Sequence, residues 1–321
     1  MTSNDPGHIN NLSAEQKNLL REFWSQLYTA LSTDSSQALK SPFPTLASTP
    51  SKPGSSLLSS PNARALADEM WFTTAYDHPD SLMLRFLRAR KWDVKAAVAM
   101  ALGCIKWRNE FDVAKLLSEG EEILDRAELE SAKSYYGGKD KEGRPCCVVH
   151  VKYHDKNTVN EEKTKLLTVY MMETGRLMLN PPQEMATIVF DMTDFGMANM
   201  DYNFVKFFVN TLQNFYPESL GLCLIVNAPW AFNACWLVIK PWLDPVVAAK
   251  IQFVKPKDLP TYIPSTTLPK RLNGTAEDYT YVPPPADEGT KLAAVRNEQG
   301  KKEEAVRKAI EAYRKLTPFI R

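Results

Sequence analysis

The sequence predicts an α/β fold in which a helical N-terminal lobe precedes a mostly parallel sheet flanked by helices. Three observations carry this expectation. Residues 146–151, 186–192, 220–226 and 251–254 are apolar runs of strand length. Between them, residues 161–179 and 202–215 have helical spacing and are long enough for the right-handed crossovers that parallel pairing requires. Residues 63–120 carry helix signals and no strand signal.

Taken in chain order, Ser13-Ala14-Glu15-Gln16 has the form of a capping box. Leu19, Leu20, Phe23, Trp24, Leu27, Tyr28 and Leu31 follow at helical spacing, so segment 1–32 should be an amphipathic helix ending near Leu31. Residues 33–61 turn to Ser, Pro and Thr, with Pro42, Pro44, Pro50, Pro53 and Pro61 marking a flexible linker. In the lobe 62–125, helices are expected at 63–76, 81–90 and 94–111, with Asp80 and Asp93 standing where N-caps belong. The turn sequence 140–145 then introduces the strands of a domain spanning 126–286. The charged tail, 287–321, has Leu292, Val295, Val306, Ile310 and Tyr313 as apolar marks and reads as a surface helix.

With 321 residues, 44% of them hydrophobic, the chain can bury a sizeable core, which excludes a disordered protein. Lys and Arg (39) nearly balance Asp and Glu (38), so no global field draws the molecule onto nucleic acid, and an anionic partner must meet a local basic patch. Residues 1–12 lack a basic segment followed by an apolar one, which argues against secretion. Cys104, Cys146, Cys147, Cys223 and Cys235 are odd in number and lack metal-ligand spacing, as suits buried thiols in a reduced cytoplasm. Residues 219–239 are uncharged, but Asn227, Pro229 and Asn233 at their middle are costly for a helix in lipid, so this stretch reads as strand, turn and helix.

Catalytic signatures are weak. His8, His78, His150 and His154 accompany no recognisable nucleophile, G-x-S-x-G is absent, and neither a P-loop nor G-x-G-x-x-G follows any expected strand. Asp191 and Asp194 lie near a strand end, where carboxylates more often cap helices or bind loops than transfer protons. The expectation is a protein that is not an enzyme and holds no metal.

The informative feature is an excess of apolar surface. In the helix at 202–215, Val205, Phe208, Leu212 and Phe215 make a core stripe, and Phe204, Phe207 and Val209 widen it beyond one face. A helix sandwiched between layers would explain that much. After Pro229, however, Trp230, Phe232, Trp236, Val238, Ile239 and Trp242 are apolar nearly all round, as in a helix that closes an apolar cavity and touches a bilayer interface.

Six motifs stand in order across about 69–274: Leu84-Arg85-Phe86-Leu87-Arg88-Ala89-Arg90-Lys91-Trp92-Asp93, Lys106-Trp107-Arg108, residues 140–145, Phe215-Tyr216-Pro217-Glu218, Asn227-Ala228-Pro229-Trp230 and Trp242-Leu243-Asp244-Pro245. With them the chain resembles the CRAL-TRIO lipid-binding domain family, in its fungal phosphatidylinositol-transfer branch. Phe190-Asp191-Met192 and residues 197–202 point to the subgroup typified by the yeast chlorinated-sterol-resistance suppressor.

The resemblance implies a CRAL-TRIO fold, in which the sheet floors an apolar lipid pocket and a mobile helix gates it. Here Val189, Phe204, Phe207, Phe208, Leu212, Leu224 and Val226 would line the pocket, and Trp230, Phe232, Trp236, Ile239 and Trp242 would form the gate. The phosphatidylinositol head group would fall to Arg90 and Lys91, to Glu218 after Tyr-Pro, and to Lys250 after Leu-Asp-Pro. Arg and Lys suit a phosphodiester, whereas Arg85 and Arg88 should pair with acidic neighbours in the bundle. Three positions depart from the family pattern: Val247 replaces a Thr near the head group, and Ala186 and Ile188 stand where Ser and Thr hold phosphocholine.

The implied protein is a monomeric cytoplasmic phosphatidylinositol carrier. Its only cofactor-like group would be the bound lipid. It would contact membrane surfaces transiently, serve phosphoinositide kinases as partners, and bind no nucleic acid. The alternatives are a non-exchanging sensor holding a sterol- or isoprenoid-like ligand, and a lipid-modifying enzyme.

Overall fold

Ser13 opens the first helix as its sequence predicts: its Oγ accepts from the Gln16 N–H at 3.1 Å, and Gln16 Oε1 accepts from the Ser13 N–H at 3.0 Å. The computed structural model describes residues 4–32, 66–74, 77–179 and 181–282; the linker at 33–61 and the tail helix at 287–321 lie outside the described residues. The described chain falls into two compact units, one up to Glu119 and one from Gly120.

The first unit is helical: α1 (Ala14–Ser32), α2 (Leu66–Thr74), α3 (Pro79–Ala89), α4 (Val94–Phe111) and α5 (Val113–Glu119). α1 packs on α3 and α4 through Leu20, Phe23, Trp24 and Leu27, all buried. Asp93 caps α4 by accepting from the Ala96 N–H at 2.9 Å. Asp80, however, does not cap α3. Pro79, with no N–H to satisfy, takes the first helical position, so His78 becomes the cap and Asp80 accepts instead from Trp24 Nε1 at 2.7 Å.

The second unit begins with α6 (Arg126–Glu130) and holds one five-stranded sheet in the order β1 (Ser134–Lys139), β2 (Pro145–His150), β3 (Ala186–Asp191), β4 (Leu220–Val226) and β5 (Ile251–Val254). β1 runs antiparallel to β2, and all other pairs are parallel. β1 is a strand that no apolar run marks, because Gly137, Gly138 and Lys139 cut the apolar pattern short. The crossovers are α7 (Glu161–Met178), α8 (Tyr202–Phe215), and the pair α9 (Phe232–Ile239) and α10 (Pro245–Ala249).

Since spatial order follows chain order from β2 to β5, crossovers of one hand must all fall on one face of the sheet. The other face is covered by the segment after β5, whose Leu259, Ile263, Leu268 and Leu272 are fully buried against Val148, Val189, Leu224 and Val226. The turn at 140–145 is tied to the sheet through Asp140, whose carboxylate accepts from Arg144 Nε and Thr187 Oγ1, each at 2.6 Å. Among the described residues, no helix is long and apolar enough to cross a membrane.

Candidate functional site: an apolar cavity between the sheet and its helices

Side chains on a strand alternate between faces, and the parallel register lines them up in rows. One row, Cys147, Ile188, Cys223 and Ile251, crosses β2 to β5 on the helix side. The next row on that side contains Val149, Phe190 and Ile225. These rows floor a cavity of about 260 Å³, many times what a single water needs.

Burial along β3 records the cavity directly. Thr187, Val189 and Asp191 are buried on the outer face, while Ala186, Ile188 and Phe190 are only half-buried because their neighbour is empty space. This corrects the sequence expectation for three residues. Val189, Leu224 and Val226 belong to the outer rows and pack under the covering segment, so none of them lines the cavity.

The walls follow helical spacing. On α8, Phe204, Val205, Phe208, Val209 and Leu212 face the cavity, whereas Phe207 falls outside it with the Lys165 ammonium 5.5 Å from its ring. On α9, Phe232, Trp236 and Ile239 face inward at i, i+4 and i+7. Two aromatic positions expected on the gate stand elsewhere. Trp230 precedes α9 and is 86% exposed, and Trp242 stacks edge-on with Tyr202 at 6.0 Å, outside the lining. On α7, Gly175 leaves room for Tyr136, whose hydroxyl donates to the Met171 carbonyl at 2.9 Å. Any Cβ at residue 175 would collide with that hydroxyl.

Electrostatically the cavity is quiet. Burial pushes the Cys147 and Cys223 thiols up to about 12, so both act as apolar lining rather than nucleophiles. Near the N-terminal end of the sheet, Glu173 is satisfied by the Tyr216 hydroxyl at 2.6 Å and by Arg176 at 3.2 Å. At the opposite end, His154 Nε2 lies 3.3 Å from Asp201 Oδ2. Burial, with the nearby Lys133 ammonium, lowers the pKa of that imidazole.

The CRAL/TRIO domain family pattern matches residues 129–274, and its N-terminal domain pattern matches residues 21–101. A CRAL-TRIO domain-containing protein of Schizosaccharomyces pombe is 30% identical over 85% of this chain and 74% of its own length. The chain belongs to the CRAL/TRIO family.

Phosphatidylinositol transfer protein CSR1 of Eremothecium gossypii is 39% identical over 76% of this chain and 58% of its own length. Another CRAL-TRIO domain-containing protein of S. pombe is 41% identical over 75% of this chain and 56% of its own length. The CRAL/TRIO chain thus spans a little over half the length of these two relatives. Among solved structures, that of Sfh5 shares the fold, with a TM-score of 0.54 and 18% identity over 72% of this chain and 82% of that one.

Within the CRAL/TRIO sheet unit, Glu218 precedes β4 with φ of 54°, and Lys250 closes α10 immediately before β5. Neither lines the cavity, but their neighbours Ser219, Val247 and Ile251 do. Arg90 and Lys91 belong to the helical unit, where they end α3, with Lys91 exposed at φ of 51°. Arg88 donates to the Gly7 carbonyl at 3.1 Å. Asp194 pairs with Lys152 at 3.1 Å, and Asp191 points to the outer face, so the two carboxylates form no acid–base couple in the cavity.

Several lining residues carry no sequence signal of their own. Tyr136 sits in β1, which no apolar run marks, and His154 is a lone histidine after β2. Cys147, Cys223 and Ile225 lie in runs so uniformly apolar that period 2 is invisible.

Proposed function

We propose that this CRAL/TRIO chain binds one phosphatidylinositol molecule in the cavity and carries it between membranes. The observation that supports the reading best is the cavity itself, floored by apolar strand rows and walled by α7, α8 and α9, with the buried thiols acting as hydrocarbon. A relative named as a phosphatidylinositol transfer protein favours that ligand. In this reading Lys250 and Glu218 meet the phosphate and the inositol hydroxyls beside the N-terminal end of the floor. Arg90 and Lys91 are assigned the head group by resemblance.

Release requires a door. α9 presents Phe232, Trp236 and Ile239 to the cavity and Leu237 (73% exposed) and Val238 (45% exposed) to solvent, next to the exposed Trp230. A helix apolar on both faces suits transient docking on a membrane interface. Carriage needs no catalytic group, and phosphoinositide kinases are natural recipients of the delivered lipid.

Extraction and mass spectrometry of whatever lipid co-purifies with the chain tests this reading. Phosphatidylinositol is the expected species. The apolar Ala186 and Ile188 on the floor favour, as second reading, a non-exchanging sensor for a sterol- or isoprenoid-like ligand, and recovery of such a molecule alone would establish it.

A further inference from the structure

The floor of the cavity has one closed end. Its central row starts at Tyr136 on the edge strand β1, opposite Cys147, and runs through Ile188 and Cys223 to Ile251 on β5. All five side chains line the cavity. A row across five strands has four spacings, which makes it roughly 19 Å long. Its β5 end lies on the side of α9, where Trp236 packs edge-on against Phe253.

The β1 end is shut by a bond from floor to wall. The Tyr136 hydroxyl donates to the Met171 carbonyl of α7 at 2.9 Å. Gly175, one turn further along that helix, makes the approach possible: a Cβ there would stand 3.1 Å from the ring carbon that bears the hydroxyl, and would collide with the oxygen itself. Glycine weakens a helix interior, and this is the one glycine of α7, so its place against Tyr136 has a packing reason. Burial pushes the Tyr136 hydroxyl well above the ordinary tyrosine pKa, so the proton stays on it and the bond to Met171 persists. With that proton committed, Tyr136 offers the contents of the cavity an aromatic surface rather than a donor.

We infer that Tyr136, seated against Gly175, is the end-stop that sets how long an acyl chain the cavity accepts. The inference rests on the reading that the cavity carries phosphatidylinositol. With the head group beside Glu218 and Lys250, at the starts of β4 and β5, the acyl chains extend across the floor toward β1. A methylene that overruns the row must displace a ring tied to the backbone of α7, and overfilling a packed site is disfavoured. Two substitutions move the stop in opposite directions. Tyr136→Ala removes it and lengthens the row, whereas Gly175→Ala fills the notch and drives the ring into the cavity.

The test is competitive, protein-dependent transfer from vesicles that carry dilauroyl, dipalmitoyl and diarachidoyl phosphatidylinositol in equal amounts, read by mass spectrometry of the acceptor vesicles. Wild type should favour dipalmitoyl over diarachidoyl by about tenfold, since a hydrophobic pocket discriminates even one methylene about that strongly. In Tyr136→Ala that ratio should fall toward about one. In Gly175→Ala the limit should move down, so that dilauroyl is favoured over dipalmitoyl. Damage to the fold alone would lower transfer of all three and leave the ratios in place, and the wild-type ratio needs no variant to fold. Equal transfer of dipalmitoyl and diarachidoyl by wild type, or a ratio undiminished in folded Tyr136→Ala, overturns the end-stop and leaves carriage standing. Transfer of none of the three by wild type overturns carriage and the end-stop with it.

Discussion

Arg271 Nη2 stands 2.7 Å from His150 Nε2 on the outer face of the sheet. The same guanidinium reaches Asp278 at 2.8 Å, Tyr135 at 3.4 Å and Asp191 at 3.7 Å. An arginine cannot accept, so His150 Nε2 holds the lone pair, and its Nδ1–H faces Asp191 at 3.4 Å. Burial pushes the Asp191 carboxyl up, but hydrogen bonds from His150 and Thr193 outweigh it and hold the pKa down at about 2. One side chain from the covering segment thus clamps that segment to the ends of β2 and β3.

Arg271→Met should therefore lower Tm, with a loss of about 1–3 kcal/mol from the hydrogen bonds left unmade. Proteolysis within 270–282 should quicken, while lipid content changes little because neither Arg271 nor Asp191 lines the cavity. Asp191→Asn should flatten the acid limb of the stability curve. The folded pKa lies below the unfolded one, so this carboxylate stabilises above about pH 4, and that contribution is lost as pH falls toward 2. An unchanged Tm in Arg271→Met would contradict the clamp.

His154 predicts a second, milder pH dependence. Its pKa is lowered on folding, so the unfolded chain takes up the proton first as pH falls through about 6.5. Stability should decline as pH falls below about 6.5 and recover on return to pH 7. In His154→Phe, urea titrations at several pH values should show a shallower slope across that window.

The two faces of the floor predict opposite phenotypes. Leu224→Ala removes a fully buried side chain from the outer row and should cost about 2–5 kcal/mol, with unchanged lipid selectivity. Ile188→Trp, on the inner row, has free volume to grow into and should keep most of the stability while excluding lipid. Melting curves paired with extracted lipid per mole of protein separate the two. Equal lipid loss in both variants would mean that the rows are misassigned.

On α9, charge belongs on the outer face. Trp236 packs edge-on against Phe253 at 5.3 Å and lines the cavity, so a charge there attacks the fold itself. Leu237→Glu leaves the packed face alone. It should slow lipid transfer between vesicles severalfold with little change in Tm, and transfer at the wild-type rate would argue against membrane docking through this helix.

Capping chemistry made two helices legible: Ser13 and Asp93 each sit one residue before a helix that begins where they indicate. Apolar runs located β4 and β5 to the residue, and in β4 nothing polar interrupts the run. That same uniformity hid which face meets the cavity, since a strand buried on both sides has no visible alternation. Leu224 was thus expected where Cys223 and Ile225 stand. On α9, where Asn233 is the one polar residue, the run from Ala234 to Ile239 gave no way to tell inward Trp236 from outward Leu237. His154 was illegible for a different reason: its partner Asp201 is 47 residues away, and only the fold brings them together.

The central claim, carriage of phosphatidylinositol, is tested most directly by protein-dependent transfer of labelled phosphatidylinositol between vesicles, for wild type and for Lys91→Ala combined with Lys250→Ala. A desolvated phosphate left without cations is disfavoured by about 3–5 kcal/mol, so the account predicts robust transfer by wild type and near-complete loss in the folded double variant. No phosphatidylinositol transfer by wild type, or undiminished transfer by the double variant, would contradict it.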